Sequence, residues 1–163
     1  MNGYEKTLRV INDYVRIKYI LKICCYGATA VSAFVFFYVF SYFIDISIIY
    51  AMRYLVCLAI PFVIVSFTRR LVNAKRPYEV YDFYEQRPKG RSGCSFPSRH
   101  AFSAFAIGTI CLFVYPVLGI FTLVISGMMC VCRVLLGIHF IRDVIGGAIV
   151  GVLSSLIGTL ILL

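Results

Sequence analysis

His100-Ala-Phe-Ser-Ala-Phe-Ala-Ile-Gly-Thr-Ile-Cys-Leu-Phe-Val-Tyr-Pro116-Val-Leu-Gly-Ile-Phe-Thr-Leu-Val-Ile-Ser-Gly-Met-Met-Cys-Val-Cys132 is an apolar run with no charged residue between its ends. As one helix it would be roughly 50 Å long, too long for the hydrocarbon core of a bilayer, which is about 30 Å thick. Pro116 sits at its midpoint, after Tyr115. Proline suits the first turn of a helix and breaks an interior. The run therefore reads as two short spans joined by a tight hairpin. That places Pro97–His100 and the segment after Cys132 on the same side of a membrane.

The rest of the chain agrees. Of its 163 residues 61% are apolar, against nearer half in a soluble domain, and the mean hydropathy is +0.92. Ile23 to Phe43 and Ile46 to Phe67 read as two further spans, with Asp45 and Ser47 marking a tight turn between them. Val144 to Leu163 reads as the last span, in which Gly147 and Gly151 form a GxxxG pair suited to close helix packing. Tyr4, Leu8, Ile11 and Val15 alternate with Lys6, Arg9, Arg16 and Lys18, the pattern of an amphipathic helix at the membrane surface over residues 1–20. Residues 68–98 form a long polar, basic loop that carries Pro77, Pro88 and Pro97. The expectation is one all-α integral membrane domain over residues 1–163, a bundle of about five transmembrane helices plus an N-terminal interfacial helix.

Charge and cysteine usage narrow the function. The net charge is +9, but basic residues on a membrane protein report topology and lipid headgroups before nucleic acid, and no nucleic-acid recognition module is visible. The expected partners are the bilayer and a lipid, with no nucleic acid. The seven cysteines show no CxxC and no zinc spacing. Of the sixteen Lys and Arg residues, all but Arg53 fall on the side that holds the loop and the turn after Cys132. The positive-inside rule then puts that side in the cytoplasm. The chain reads as a multi-pass protein of the cell membrane.

The chemistry-bearing residues lie on that side. Only two histidines are present, His100 and His139. His139 and Asp143 are four residues apart, so on a helix they share a face, and the carboxylate can orient the imidazole. Arg69, Arg76 and Arg133 stand at span boundaries, where planar guanidinium donors suit a phosphate dianion. Pro97 and Ser98 look like a helix start, and a helix N-terminus attracts phosphate through its free N–H groups. Two histidines permit a division of labour in which one attacks phosphorus and the other protonates the leaving oxygen and later activates water. Taken singly, each residue has an ordinary alternative, as topology anchor, helix cap or interfacial histidine.

As a set, these residues resemble the type 2 phosphatidic acid phosphatase superfamily, which also takes in vanadium haloperoxidases and bacterial acid phosphatases. The family pattern is Lys, six residues, Arg-Pro; then Pro-Ser-any-His; then Ser-Arg, five residues, His, three residues, Asp. Here it stands as Arg69, six residues, Arg76-Pro77; Pro97-Ser98-Arg99-His100; and Cys132-Arg133, five residues, His139, three residues, Asp143. The resemblance is to the membrane branch, that of phosphatidylglycerophosphatase and undecaprenyl-diphosphatase type enzymes. It implies His139 as nucleophile with Asp143 as its partner, and His100 as general acid and then base. Arg69, Arg76, Ser98 and Arg133 would bind phosphate, with no metal and no cofactor.

It also implies a lipid phosphate substrate: phosphatidic acid, phosphatidylglycerol phosphate or a polyprenyl diphosphate. Three positions depart from the pattern. Arg69 replaces Lys, with Arg70 one position out of register as the alternative. Cys132 replaces Ser, which removes a hydroxyl contact. Arg99 replaces the usual Gly. The competing readings are a catalytically silent lipid-binding protein of the same fold, which would have lost the nucleophile, acid or carboxylate, and a haloperoxidase, which would need bound vanadate.

Overall fold

A computed structural model of the chain describes residues 3–81 and 92–162. Among the described residues it is helical with no strand. The elements are α1 (Gly3–Asp13), α2 (Val15–Ile46), α3 (Ile48–Val72), α4 (Pro77–Val80), α5 (Arg99–Val114), α6 (Pro116–Leu135) and α7 (Ile141–Leu162). Pro88, Phe83 and Tyr84, which the sequence puts in the basic loop, lie outside the described residues.

Four helices, α2, α3, α6 and α7, are long and apolar enough to cross a bilayer, and α5 is a shorter apolar helix of 16 residues. The protein is a multi-pass membrane protein built as a five-helix bundle. The hairpin at Tyr115–Pro116 forms as expected, with Pro116 in the first turn of α6. The turn between α2 and α3 is tighter than a loop. Ser47 alone is extended (φ −172°), and its hydroxyl accepts from the N–H of Ile49 at 3.3 Å to cap α3.

Two boundaries differ from expectation. The N-terminal helix stops at Asp13, and residues 15–20 are the first turns of α2. The break at Tyr14 (φ −93°, ψ 94°) lets α1 fold back on the bundle. There Leu8 is buried, and the Tyr4 hydroxyl donates to the Val134 carbonyl at 3.3 Å. The loop expected from residue 68 begins at residue 73, because α3 continues through Thr68, Arg69 and Arg70 to Val72. Arginine is a good helix former, and the helix ends only where Asn73 adopts the left-handed conformation (φ 43°).

α5 is the centre of the bundle, with more than half of its residues buried. Small residues bring its neighbours close. On α7, a Cβ at Gly147 would overlap the Ser98 carbonyl oxygen, and one at Gly151 would stand 2.5 Å from the Phe102 oxygen. The GxxxG pair is thus a packing face against α5. Val35, Val39 and Phe43 of α2, Tyr54 and Cys57 of α3, and Ile107 and Ile110 of α5 form the main core. Outward-facing residues such as Val117 and Leu160 are apolar and exposed, as a surface solvated by acyl chains requires.

Candidate active site

The N-termini of α5 and α7 and the C-termini of α3 and α6 meet at one end of the bundle. The connections there are stitched by Glu79. Its carboxylate accepts from the Arg76 N–H at 2.7 Å, the Ser92 hydroxyl at 2.7 Å and the Gly93 N–H at 2.9 Å. Burial works to raise the Glu79 pKa, but these donors and the nearby Arg76 hold it below the usual carboxylate value. Asn73 adds a second stitch, accepting from the Cys94 N–H at 3.2 Å. The segment that leads into α5 is thereby held beside α3.

This end encloses a polar cavity of about 500 Å³, lined by Arg69, Arg70, Arg76, Arg99, His100, Arg133 and His139 among others, with Lys22 and Cys25 from α2. Among the described residues, no three His, Cys, Asp or Glu side chains cluster to hold a metal ion. The cavity presents cations instead, an environment for an anion.

Each arginine is placed differently. Arg69 is buried and donates through Nη1 to the Pro97 carbonyl at 2.7 Å, whereas Arg70 is exposed. Arg76 donates through Nε to the Gly93 carbonyl at 3.1 Å and through Nη1 to the Ile138 carbonyl at 3.4 Å. Arg133 is buried at the end of α6, and its Nε has no partner among the described residues, an unmet donor at the cavity wall. Ser66 Oγ, one turn before Arg69 and Arg70, is likewise buried and without a partner among the described residues, and Ser66 lines the same cavity.

His139 follows α6 in a turn held by the Arg133 carbonyl, which accepts from the N–H groups of Ile138 at 3.0 Å and His139 at 3.4 Å. Gly137 supplies the positive φ (66°) that the turn requires. His139 is 2% exposed and Asp143 is fully buried. His139 Nδ1 lies 3.6 Å from Asp143 Oδ2. Burial lowers the His139 pKa, and Arg76 and Arg133 push in the same direction against the Asp143 carboxylate. The imidazole is therefore neutral near pH 7, the form that can attack an electrophile.

His100, in the first turn of α5, opens into the polar cavity, so the structure brings both histidines to one space. Ser98 caps α5, accepting from the Ala101 N–H at 3.5 Å, and is fully buried. Its own N–H donates to the Asp143 carbonyl at 2.8 Å. Ser98 and Asp143 stand behind the cavity wall rather than on it. Cys132, at the family's Ser position, packs into an apolar cluster with Cys25, Ala28, Ala104 and Met129.

Ser95, Ser66, Glu79 and Lys22 fall in no motif of the sequence, yet the fold brings them to this end of the bundle. Ser95 stands three residues before Ser98, and its partners are remote in the chain. Its Oγ lies 2.5 Å from Asp143 Oδ2 and 3.2 Å from His139 Nδ1.

A second cavity of about 500 Å³ adjoins the first and shares Arg99 and His100 with it. Its other walls are mostly apolar: Phe36, Phe62, Ser103, Ile107 and Met129. Arg99 sits at the border, its guanidinium 5.9 Å from the centre of the Phe62 ring. The site is therefore amphipathic, with a cationic chamber beside a mostly apolar one.

The helical membrane bundle thus gathers two histidines, a buried carboxylate and converging arginines at one end. The PAP2 superfamily model matches residues 50–162, well over half of the chain, and the chain belongs to that superfamily. Curated protein sequences give no match. Among solved structures, the chain is similar to a transmembrane PAP2-type phosphatidylglycerolphosphate phosphatase from Bacillus subtilis, with a TM-score of 0.65 and 18% identity. The match covers 96% of this chain and 81% of that one. At that identity the likeness is one of fold.

Proposed function

We propose that this protein is a membrane lipid phosphatase that cleaves a phosphomonoester or diphosphate at a lipid headgroup, with His139 as nucleophile. The observation that carries this is the convergence of both histidines and Arg69, Arg76 and Arg133 on one cationic cavity that adjoins an apolar groove. A headgroup phosphate fits the first space and an acyl or prenyl chain the second. Membership of the PAP2 superfamily supports the same reading.

In the first step, His139 Nε2 attacks phosphorus as the bond to the leaving oxygen breaks, and His100, protonated once the negative charge of the bound phosphate offsets the surrounding arginines, gives that oxygen a proton. Arg69, Arg76 and Arg133 stabilise the charge on the equatorial oxygens, and Asp143 stabilises the imidazolium. In the second step, His100, now neutral, takes a proton from water. The hydroxide oxygen bonds to phosphorus, the N–P bond breaks, and phosphate leaves with His139 restored. No step calls for a metal.

Phosphatidic acid, phosphatidylglycerol phosphate and polyprenyl diphosphate all suit this site. The distribution of Lys and Arg favours a site on the cytoplasmic face of the cell membrane. The test is phosphate release by purified protein in detergent micelles with EDTA, comparing the three lipids. Release from at least one, abolished in His139→Ala, is the expected result, and the rank order names the substrate. No release from any of them would favour a catalytically silent lipid-binding protein.

A further inference from the structure

Ser95 has a position that neither the mechanism above nor the three-part motif uses. It is fully buried. Its N–H donates to the Ala74 carbonyl at 2.8 Å, which fixes it between the α3–α4 connection and α7. Its hydroxyl faces two groups at once, Asp143 Oδ2 at 2.5 Å and His139 Nδ1 at 3.2 Å.

Proton counting decides the arrangement. A serine hydroxyl has one hydrogen and two lone pairs, and a carboxylate only accepts. The hydrogen therefore goes to Asp143. What faces His139 is a lone pair, which attracts an N–H at Nδ1 and repels an unprotonated nitrogen there. The carboxylate does not do this alone. Oδ2 is 3.6 Å from Nδ1, beyond hydrogen-bond length, and it is also occupied by the Phe140 N–H at 2.9 Å.

We propose that Ser95 is a positioning residue that bridges Asp143 and His139 and locks the imidazole in the Nδ1–H tautomer, leaving the Nε2 lone pair free to attack phosphorus. This rests on His139 being the nucleophile. A neutral imidazole in the other tautomer carries its hydrogen on Nε2 and cannot attack.

The test uses the full chain in micelles with ¹⁵N-labelled histidine. Only two histidines contribute signals, and His139→Ala assigns them. At pH 8 the wild-type protein should show His139 Nε2 unprotonated. In Ser95→Ala, Nε2 should move toward the protonated position as the tautomers mix, and kcat should fall at least about tenfold with KM within about twofold. Ser95→Thr, which keeps the hydroxyl, should restore both the tautomer and most of kcat.

A wild-type His139 spectrum in Ser95→Ala would overturn the proposal whatever the activity, and so would an Nε2–H tautomer in the wild-type protein. The nitrogen signals do not depend on turnover. If the wild-type protein released no phosphate but Ser95→Ala shifted the tautomer, the phosphatase reading would fail while the Ser95 bridge stood.

Discussion

Gly147 of α7 lies directly against the Ser98 carbonyl at the head of α5, with no room for a Cβ between them. This contact joins the helix that carries Asp143 to the helix that carries His100. Its neighbours complete the join, since the Ser98 N–H donates to the Asp143 carbonyl. The spacing between the two halves of the site is set by a missing side chain. Gly147→Val should therefore reduce thermal stability, by about 1–3 kcal/mol on the scale of overpacking, and phosphate release should fall with it. Thermal unfolding in micelles beside an activity assay checks both.

Asp143 should matter more than its distance from the substrate suggests. Asp143→Asn keeps the shape but loses the charge that stabilises the His139 imidazolium, and it can present an N–H to Nδ1. In the Ser-His-Asp proteases the corresponding change costs about 10⁴-fold in kcat. Here a loss of about 10³-fold or more is expected in single-turnover kinetics, with little change in unfolding temperature.

Arg133 and Arg76 should not tolerate lysine. Both guanidinium groups are buried, and the Arg76 fork is held at two of its nitrogens by carbonyls. A lysine offers a point charge in place of a planar fork. Arg133→Lys and Arg76→Lys are expected to lower kcat/KM by about 10²-fold, measured with any lipid that the wild-type protein hydrolyses.

The pH dependence follows from His139. Its pKa is held below the ordinary 6.5 by burial first and by Arg76 and Arg133 next. A nucleophilic imidazole acts only when unprotonated, so activity is lost as pH falls through its lowered pKa. The acid limb of kcat/KM that reports His139 should therefore lie below pH 6.5. Arg76→Met removes a nearby cation and should move that limb upward in the residual activity. The same sign holds for stability: this group is neutral in both folded and unfolded chains above pH 6.5 and counts against the fold as the pH drops below that and the buried ring resists charging. A kcat/KM profile from pH 4 to 9 for both proteins gives the answer.

The apolar groove should discriminate by chain, not by headgroup. Ser103 lines it next to Phe36, Phe62 and Ile107. Ser103→Phe fills that space while leaving the cationic chamber intact. It should raise KM for a long-chain lipid phosphate at least about tenfold and leave a short-chain water-soluble phosphate ester within about twofold. Steady-state kinetics with the two substrates separates the groove from the headgroup site.

Much of this was legible in the sequence. Pro116 announced the hairpin because proline cannot continue a helix, and Gly147 and Gly151 announced a packing face because only small residues let backbones touch. The end of α3 is hard to read because Arg69 and Arg70 look like loop residues beside an apolar span, yet they extend the helix and both line the cavity. The break at Tyr14 carries no breaker residue; it exists because α1 docks through Tyr4 and Leu8. Ser95 and Glu79 were invisible for a related reason. Ser95 meets Asp143 across 48 residues and Glu79 meets Gly93 across 14, and hydrogen bonds of that span leave no local periodicity to read.

In the proposed reaction His139 carries the phosphoryl group. The most direct measurement is rapid mixing of purified protein with a lipid substrate labelled with ³²P, followed by an alkaline quench, in which a phosphohistidine survives, and mapping of the labelled peptide. Label on His139, absent from His139→Ala, is the predicted result. Steady phosphate release with label on another residue, or with turnover undiminished in His139→Ala, would rule out His139 as the nucleophile.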